Sequence, residues 1–262
     1  MGIDLYTHVL DWEEFKDLQV AFLKASTPDS EIPSDHAISA LLANMAEKSG
    51  VKYIISGANV RTETHLPSAW SQGHLDWKYI NSVHRKFGKI NLKSFPHQDL
   101  ITLYRRRLSQ RTVNILDYLD YKKQSAMQLL QQKLGWKYYG GKHYESIYTR
   151  FYQGYILPTK FGYDKRRTHL SSLICSREIT REDAFKELDQ PTYSPTMQEE
   201  DREYVIKKLG LTDDGFEAIM KADKKSYWDY PSYGHLTKTR LYTSLYNSAL
   251  RAVRTYRSLR GH

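Results

Sequence analysis

Eight residues, Lys160-Phe161-Gly162-Tyr163-Asp164-Lys165-Arg166-Arg167, gather four cations around one carboxylate. A guanidinium holds phosphate through two parallel hydrogen bonds and an ammonium acts as a mobile point charge. The run therefore suits a clamp on a phosphorylated ligand. Three consecutive basic residues cannot all face one side of a helix, which leaves about two to reach it. The competing reading is a solvated basic face paired with Asp164.

Upstream, Gly140-Gly141-Lys142-His143-Tyr144-Glu145-Ser146 sets Lys142, His143 and Glu145 after two glycines, at a loop or a helix start. His143, with an ordinary pKa of about 6.5, suits proton transfer or donation to a sugar oxygen. A structural histidine is the alternative. Arg150 and Gln153 share a face if their segment is helical, contacting substrate or edging a core of Phe151, Tyr152 and Tyr155. A second group follows the apolar run 51–56: Gly57 admits close backbone approach, while Asn59 and Glu63 offer directional hydrogen bonds. The competing reading, favoured on these residues alone, is a Gly-Asn turn with a solvated Glu63. Asp35 falls near the start of a neighbouring helix. Cys175, between Ile174 and Ser176, reads as a buried small hydrophobe, and Arg105-Arg106-Arg107 as a solvated face.

These groups need elements to position them. Residues 5–10 read as a strand, and 12–24 as a helix capped by Asp11 with Phe15, Leu18 and Phe22 at helical spacing. A second helix starts at Ser34, carries Ile38, Leu41, Leu42 and Met45 on its apolar face and closes at Gly50. Residues 51–56 read as a buried strand. Helices at 75–87 and 96–107, a strand at 112–119 and a helix at 122–134 follow. Further helices are expected at 181–188, 199–209, 213–221 and 237–259, with Thr180 and Thr212 as N-caps and Gly210 as a C-cap. Strands alternating with helices imply a parallel sheet. The fold class is therefore α/β: an incomplete Rossmann-like sheet over residues 1–138, then a mainly helical region over 139–262.

The 262 residues, 40% hydrophobic and 26% charged, fit a globular chain. No apolar stretch approaches the roughly 20 residues of a membrane span. No signal peptide is visible at the start, so the cytoplasm is the expected compartment. One cysteine excludes an intramolecular disulfide and a cysteine-rich metal cluster. The net charge of +9 points to an anionic partner without choosing among nucleic acid, membrane and phosphorylated small molecule. No G-x-x-x-x-G-K-[ST] or G-x-G-x-x-G phosphate loop occurs.

The stretch from Gly140 to Ile174, with Asp117-Tyr118-Leu119-Asp120-Tyr121-Lys122, Ile179-Thr180-Arg181-Glu182-Asp183-Ala184 and Pro33-Ser34-Asp35-His36-Ala37-Ile38, resembles the N-acetyl sugar amidotransferase family of bacterial surface-polysaccharide pathways. That family is similar to PP-loop ATP pyrophosphatases, of the adenine nucleotide alpha-hydrolase fold. The resemblance implies that an acetamide oxygen attacks the α-phosphate of ATP, pyrophosphate leaves, and ammonia displaces AMP to give an acetamidino group. It implies ATP with Mg²⁺, a nucleotide-linked N-acetyl sugar, a glutaminase subunit supplying ammonia and a cyclase-like subunit. His143 and Glu145 become the catalytic candidates. Asp35, Gly57, Asn59 and Glu63 become the nucleotide-binding set, with Glu63 a Mg²⁺ ligand. Lys142, Arg150, Lys160, Lys165, Arg166 and Arg167 become the substrate-phosphate set, and no resident metal is expected. Family members carry S-G-G-x-D-S in their amino-terminal part; these residues do not contain it, so ATP turnover by them alone is not expected. The other readings are an RNA-binding or tRNA-modifying relative, less favoured, and a non-catalytic scaffold for the glutaminase.

Overall fold

A computed structural model describes residues 2–63, 65–138 and 144–237. The first helix, α1 (Trp12–Ala25), starts where the Asp11 carboxylate accepts from the Glu14 amide, and stops at Ser26, which takes a left-handed φ of 59°. Leu18, Ala21, Phe22 and Ala25 are fully buried on its inner face. They meet Tyr79, Ile80 and Val83 of α4 (Trp77–Phe87) in one core cluster with Tyr227 and Tyr230. Leu23, on another face of α1, enters a second cluster with Phe151, Ile156, Leu157, Val205 and Phe216. A single helix thus belongs to both cores.

Helix α2 (Ile32–Lys48) buries Ile32, Pro33, His36, Ala37 and Ala40. The face expected from the sequence is not the buried one: Ile38 is 56% exposed and Leu42 50%. Alanines and a histidine form the inner stripe because α2 packs closely there, and the larger apolar residues point outward. Ser34 is not the N-cap either. Its hydroxyl donates to the carbonyl of Glu31, the residue before the helix.

Strand β1 (Tyr53–Ser56) pairs in parallel with β2 (Arg111–Asn114), Tyr53 opposite Arg111 and Ser56 opposite Asn114. The short helix α3 (Val60–Glu63), α4 and α5 (Leu100–Ser109) lie between them in the chain. The parallel relation agrees with the sequence, but among the described residues the sheet has only these two strands. Three expectations are corrected. Residues 5–10 form no strand and are mostly exposed. β1 is not buried, since Tyr53 and Ile55 are 63% and 73% exposed. The second strand ends at Asn114, where a 3-10 turn (Ile115–Tyr118) takes over. Two short strands have too few neighbours to cover both faces, which an apolar run alone cannot reveal.

Beyond β2 the chain is helical. It continues through α6 (Lys123–Leu134), α7 (Ile147–Phe151), a π-helix (Tyr152–Phe161), α8 (Arg166–Cys175), α9 (Arg181–Leu188), α10 (Pro195–Leu209), α11 (Asp213–Lys221) and the short α12 (Gly234–Thr237). Thr180 caps α9 with a reciprocal box to Asp183, Thr212 caps α11, and Gly210 closes α10 at φ 67°. The helix expected at 237–259 falls almost wholly outside the described residues.

Two charged groups fasten the first part. Arg106, expected on a solvated face, is 8% exposed and donates to Glu47, Asn44 and Gln98. Glu14 accepts from the amides of Lys93, Ser94 and Phe95 and from the Ser94 hydroxyl. Burial opposes its ionisation, yet these donors outweigh that and hold the carboxyl below its ordinary value. A depressed carboxyl contributes stability above its unfolded pKa of about 4.3, and that contribution is lost as pH falls through the folded value. Glu14→Gln should therefore lower stability by about 1.5 kcal/mol near neutrality, and the gap to the parent should narrow in acid. Urea denaturation at both pH values measures it.

Candidate functional site

Two cavities, of about 470 and 500 Å³, share a wall made by Leu66, Gln153 and Lys165. The π-helix shapes that wall by presenting Gln153 to both cavities and Gly154 to the second. A Cβ on Gly154 would approach the Tyr193 ring to 3.3 Å, so the small residue keeps the backbone close to its neighbour. Gln153 donates to the Glu31 carboxylate at 2.8 Å, and the Lys165 ammonium lies 3.9 Å from the same oxygen.

The first cavity combines aromatic walls from Trp12, Phe15, Tyr148 and Tyr204 with the polar groups Asp29, Glu31, Asp35, Ser71 and His74. Asp29 is 3% exposed and accepts from the Glu31 amide, the Ser71 hydroxyl and His74. Burial opposes its charge, but His74, Lys165 and Ser71 together hold the carboxyl below its ordinary value. His74 Nε2 lies 2.9 Å from Ser71 Oγ and 3.4 Å from a carboxylate oxygen of both Asp29 and Asp35. Ser71 gives its own proton to Asp29, so Nε2–H donates to Ser71; the serine is not activated as a nucleophile. Burial would depress the imidazole, yet its two carboxylates prevail and raise its pKa. Although its side chain is 53% exposed, desolvation at the cavity rim lifts Asp35 to about 6, with Asp29 and Glu31 adding to the rise and His74 and Lys165 opposing it.

The second cavity is lined by Lys123, Arg150, Lys165 and Arg166 against Glu63, Asp164 and Glu187, with His65 and His169 between them. Lys123 Nζ is 3.2 Å from His169 Nε2, and the other nitrogen of that ring donates to the Thr62 carbonyl. Arg150 forms a two-point pair with Asp201, both contacts at 2.7 Å. Arg166 binds Asp164 and also donates to the carbonyls of Glu187, Leu188 and Gln190 at the end of α9. Both guanidiniums are thus partly committed to the fold. Lys165 is the cation common to both cavities.

The expected phosphate run is therefore divided. Lys165 and Arg166 face a cavity, whereas Arg167 is exposed and lines neither. Lys160 is 6% exposed, with its ammonium on the Ile219 carbonyl, and burial lowers its pKa to about 8. Asp35 lines the first cavity and Glu63 the second. Asn59 is buried and accepts from Thr62 at the start of α3, and Gly57 has no side chain within 4 Å of an added Cβ. Glu145 is exposed beside the cavities' Tyr144 and Ser146, and Lys142 and His143 lie outside the described residues. The reading of Cys175 as buried is overturned: it is exposed, with Sγ 3.8 Å from His65 Nε2 at the end of α8. Asp29, Ser71, His74, His65 and His169 were not singled out in the sequence. They come from separate loops and helices with no common spacing.

Residues 145–245 match the family model described as LPS biosynthesis protein WbpG-like, C-terminal domain. That segment carries Arg150, Gln153, Lys165 and Arg166 and relates this part of the chain to lipopolysaccharide biosynthesis. No curated protein and no solved structure matches the chain. No helix among the described residues is long and apolar enough to cross a membrane. No group of three or more His, Cys, Asp or Glu among them is placed to hold a metal ion.

Asp35 gives a test with a definite sign. Its folded pKa lies above the unfolded value of about 3.9, so its charge costs stability as pH rises from there through about 6. Asp35→Asn should raise the melting temperature at neutral pH and flatten that part of the pH profile. A parent and variant that melt in parallel from mildly acid to neutral pH would remove Asp35 from the network.

Proposed function

We propose that this chain supplies the sugar-nucleotide-handling part of an ATP-dependent amidotransferase in surface-polysaccharide biosynthesis. The carrying observation is the pair of cavities joined at Lys165, whose shared wall is built largely from the segment matching the lipopolysaccharide-biosynthesis model. Aromatic faces and hydrogen-bonding side chains in the first cavity suit a hydroxylated ring bearing an acetamido group. The cations of the second suit the diphosphate of a nucleotide-linked sugar, with Lys165 at the junction. In this reading the acetamide oxygen is activated by ATP, and ammonia from a partner glutaminase replaces it to leave an acetamidino group. A cyclase-like subunit is the other expected partner and the cytoplasm the expected compartment.

Mg²⁺ on ATP commonly uses only one or two protein carboxylates, and in this reading Glu63, which lines the second cavity, would take that role. Fixed donors in a water-poor cleft act most strongly on charge that develops during reaction, which fits the phosphate-facing cations. His143 and Glu145 stay proposals for the catalytic pair.

Calorimetry with a nucleotide-linked N-acetyl sugar tests the reading. Lys165→Ala should weaken binding about 10- to 100-fold, the loss of one charge-assisted contact of about 1.5–3 kcal/mol. Arg167→Ala should bind as the parent does. No binding by the parent, or equal affinity in Lys165→Ala, would refute the assignment; equal losses in both variants would point to a diffuse charge effect.

A further inference from the structure

We propose that His74 is the proton-accepting residue of the first cavity, and that a phosphate held by Lys165 in the second cavity makes it a stronger base. The second half rests on the reading above, which gives Lys165 a phosphate; the first half stands on the cavity itself. His74 is held at both ends. Its main-chain carbonyl accepts from His36 Nδ1 at 2.8 Å, and His36 Nε2 in turn accepts from the Gln98 amide. His36 is therefore a fixed, neutral donor at the centre of the protein, 0% exposed and lowered in pKa by burial. At the ring, Nε2–H is committed to Ser71 and the buried Asp29 carboxylate. Nδ1 has no hydrogen-bond partner among the described residues, in a ring that lines the cavity. A carboxylate anchoring one imidazole nitrogen leaves the other as a base and stabilises the imidazolium that forms.

The step is a proton transfer and balances as one. A nitrogen nucleophile that has joined the activated acetamide carbon carries a surplus proton. That proton passes to His74 Nδ1, and the resulting imidazolium is neutralised by Asp29. The charged groups lining the cavity with the ring are Asp29 and Glu31 of the turn before α2, Asp35 of α2, Lys165 before α8 and Lys208 of α10. Lys165 opposes protonation of His74 and favours the charged form of Asp29 and Asp35. A phosphate that neutralises Lys165 removes this opposition, so the base strengthens when the neighbouring cavity fills.

Nitrogen-15 NMR of histidine-labelled protein reads this without turnover. The neutral ring should be the Nε2–H tautomer, and Asp29→Asn should lower its titration midpoint. Lys165→Met should raise the midpoint by about half a pH unit with no ligand present. Saturating pyrophosphate, its binding followed by calorimetry, should raise the parent's midpoint similarly and leave that of Lys165→Met where it is. An Nδ1–H tautomer, or a midpoint indifferent to both Asp29→Asn and Lys165→Met, overturns the role of His74. Pyrophosphate that binds without moving the parent's midpoint, or moves it equally in Lys165→Met, overturns the coupling. Failure of pyrophosphate to bind at all counts against the phosphate reading of the second cavity, while the ligand-free comparison still decides on His74.

Discussion

The structure turns on a polar loop buried at the end of α1. Residues 25–31 leave the helix inside the protein, where every carbonyl and hydroxyl needs a partner. Tyrosines provide four of them. Tyr230 donates to the Ala25 carbonyl, Tyr79 to the Thr27 hydroxyl and Tyr152 to the Thr27 carbonyl, while Tyr148 shares a hydrogen bond with Ser30. Burial pushes the phenols of Tyr79, Tyr148 and Tyr152 upward, so they stay neutral donors. The Lys225 amide closes the ring on the Ser26 carbonyl. Four of the chain's 21 tyrosines thus serve this one loop, because a phenol brings an apolar body and a polar tip to one place.

Because that loop is pinned from several directions, it can present charge at a fixed position. Asp29 and Glu31 lie on its last turn, one held by Ser71 and His74 and the other by Gln153 and Lys165. The partners of Glu31 come from the helical half of the chain. The wall between the cavities is therefore a polar seam joining parts distant in sequence, and its components cannot move independently. A change of charge on Lys165 is therefore felt by Asp29, Asp35 and His74.

What the sequence revealed followed from local rules. Asp11, Thr180, Thr212 and Gly210 mark helix ends by chemistry confined to one turn, and all four do so in the structure. What it concealed depended on neighbours. The apolar run of β1 implied burial, but exposure depends on how many strands flank it, and Ile55 is largely exposed. Arg106 resembled its neighbours Arg105 and Arg107 in sequence; Arg105 also reaches Glu47, and only burial with Asn44 and Gln98 sets Arg106 apart. At the site, Lys165, Asp35 and Glu63 were visible as charged residues near element ends. His74 was not, because its importance comes from Asp29 and His36, separated from it in sequence by most or all of α2, by β1 and by α3.

The π-helix between Gln153 and Lys165 has a consequence for how this segment can vary in length. Wide turns of this kind accommodate an extra residue within a helical path, and here they also accept Pro158, which has no amide hydrogen to give. Deleting one residue would tighten the segment toward an α-helix and rotate everything on one side of the deletion by about 100°. Gln153 would then no longer share a wall with Lys165, and the carbonyl of Gly154 would lose the Thr192 hydroxyl. Heritable variation across this stretch should therefore arrive as substitutions, with insertions and deletions displaced to the loops on either side.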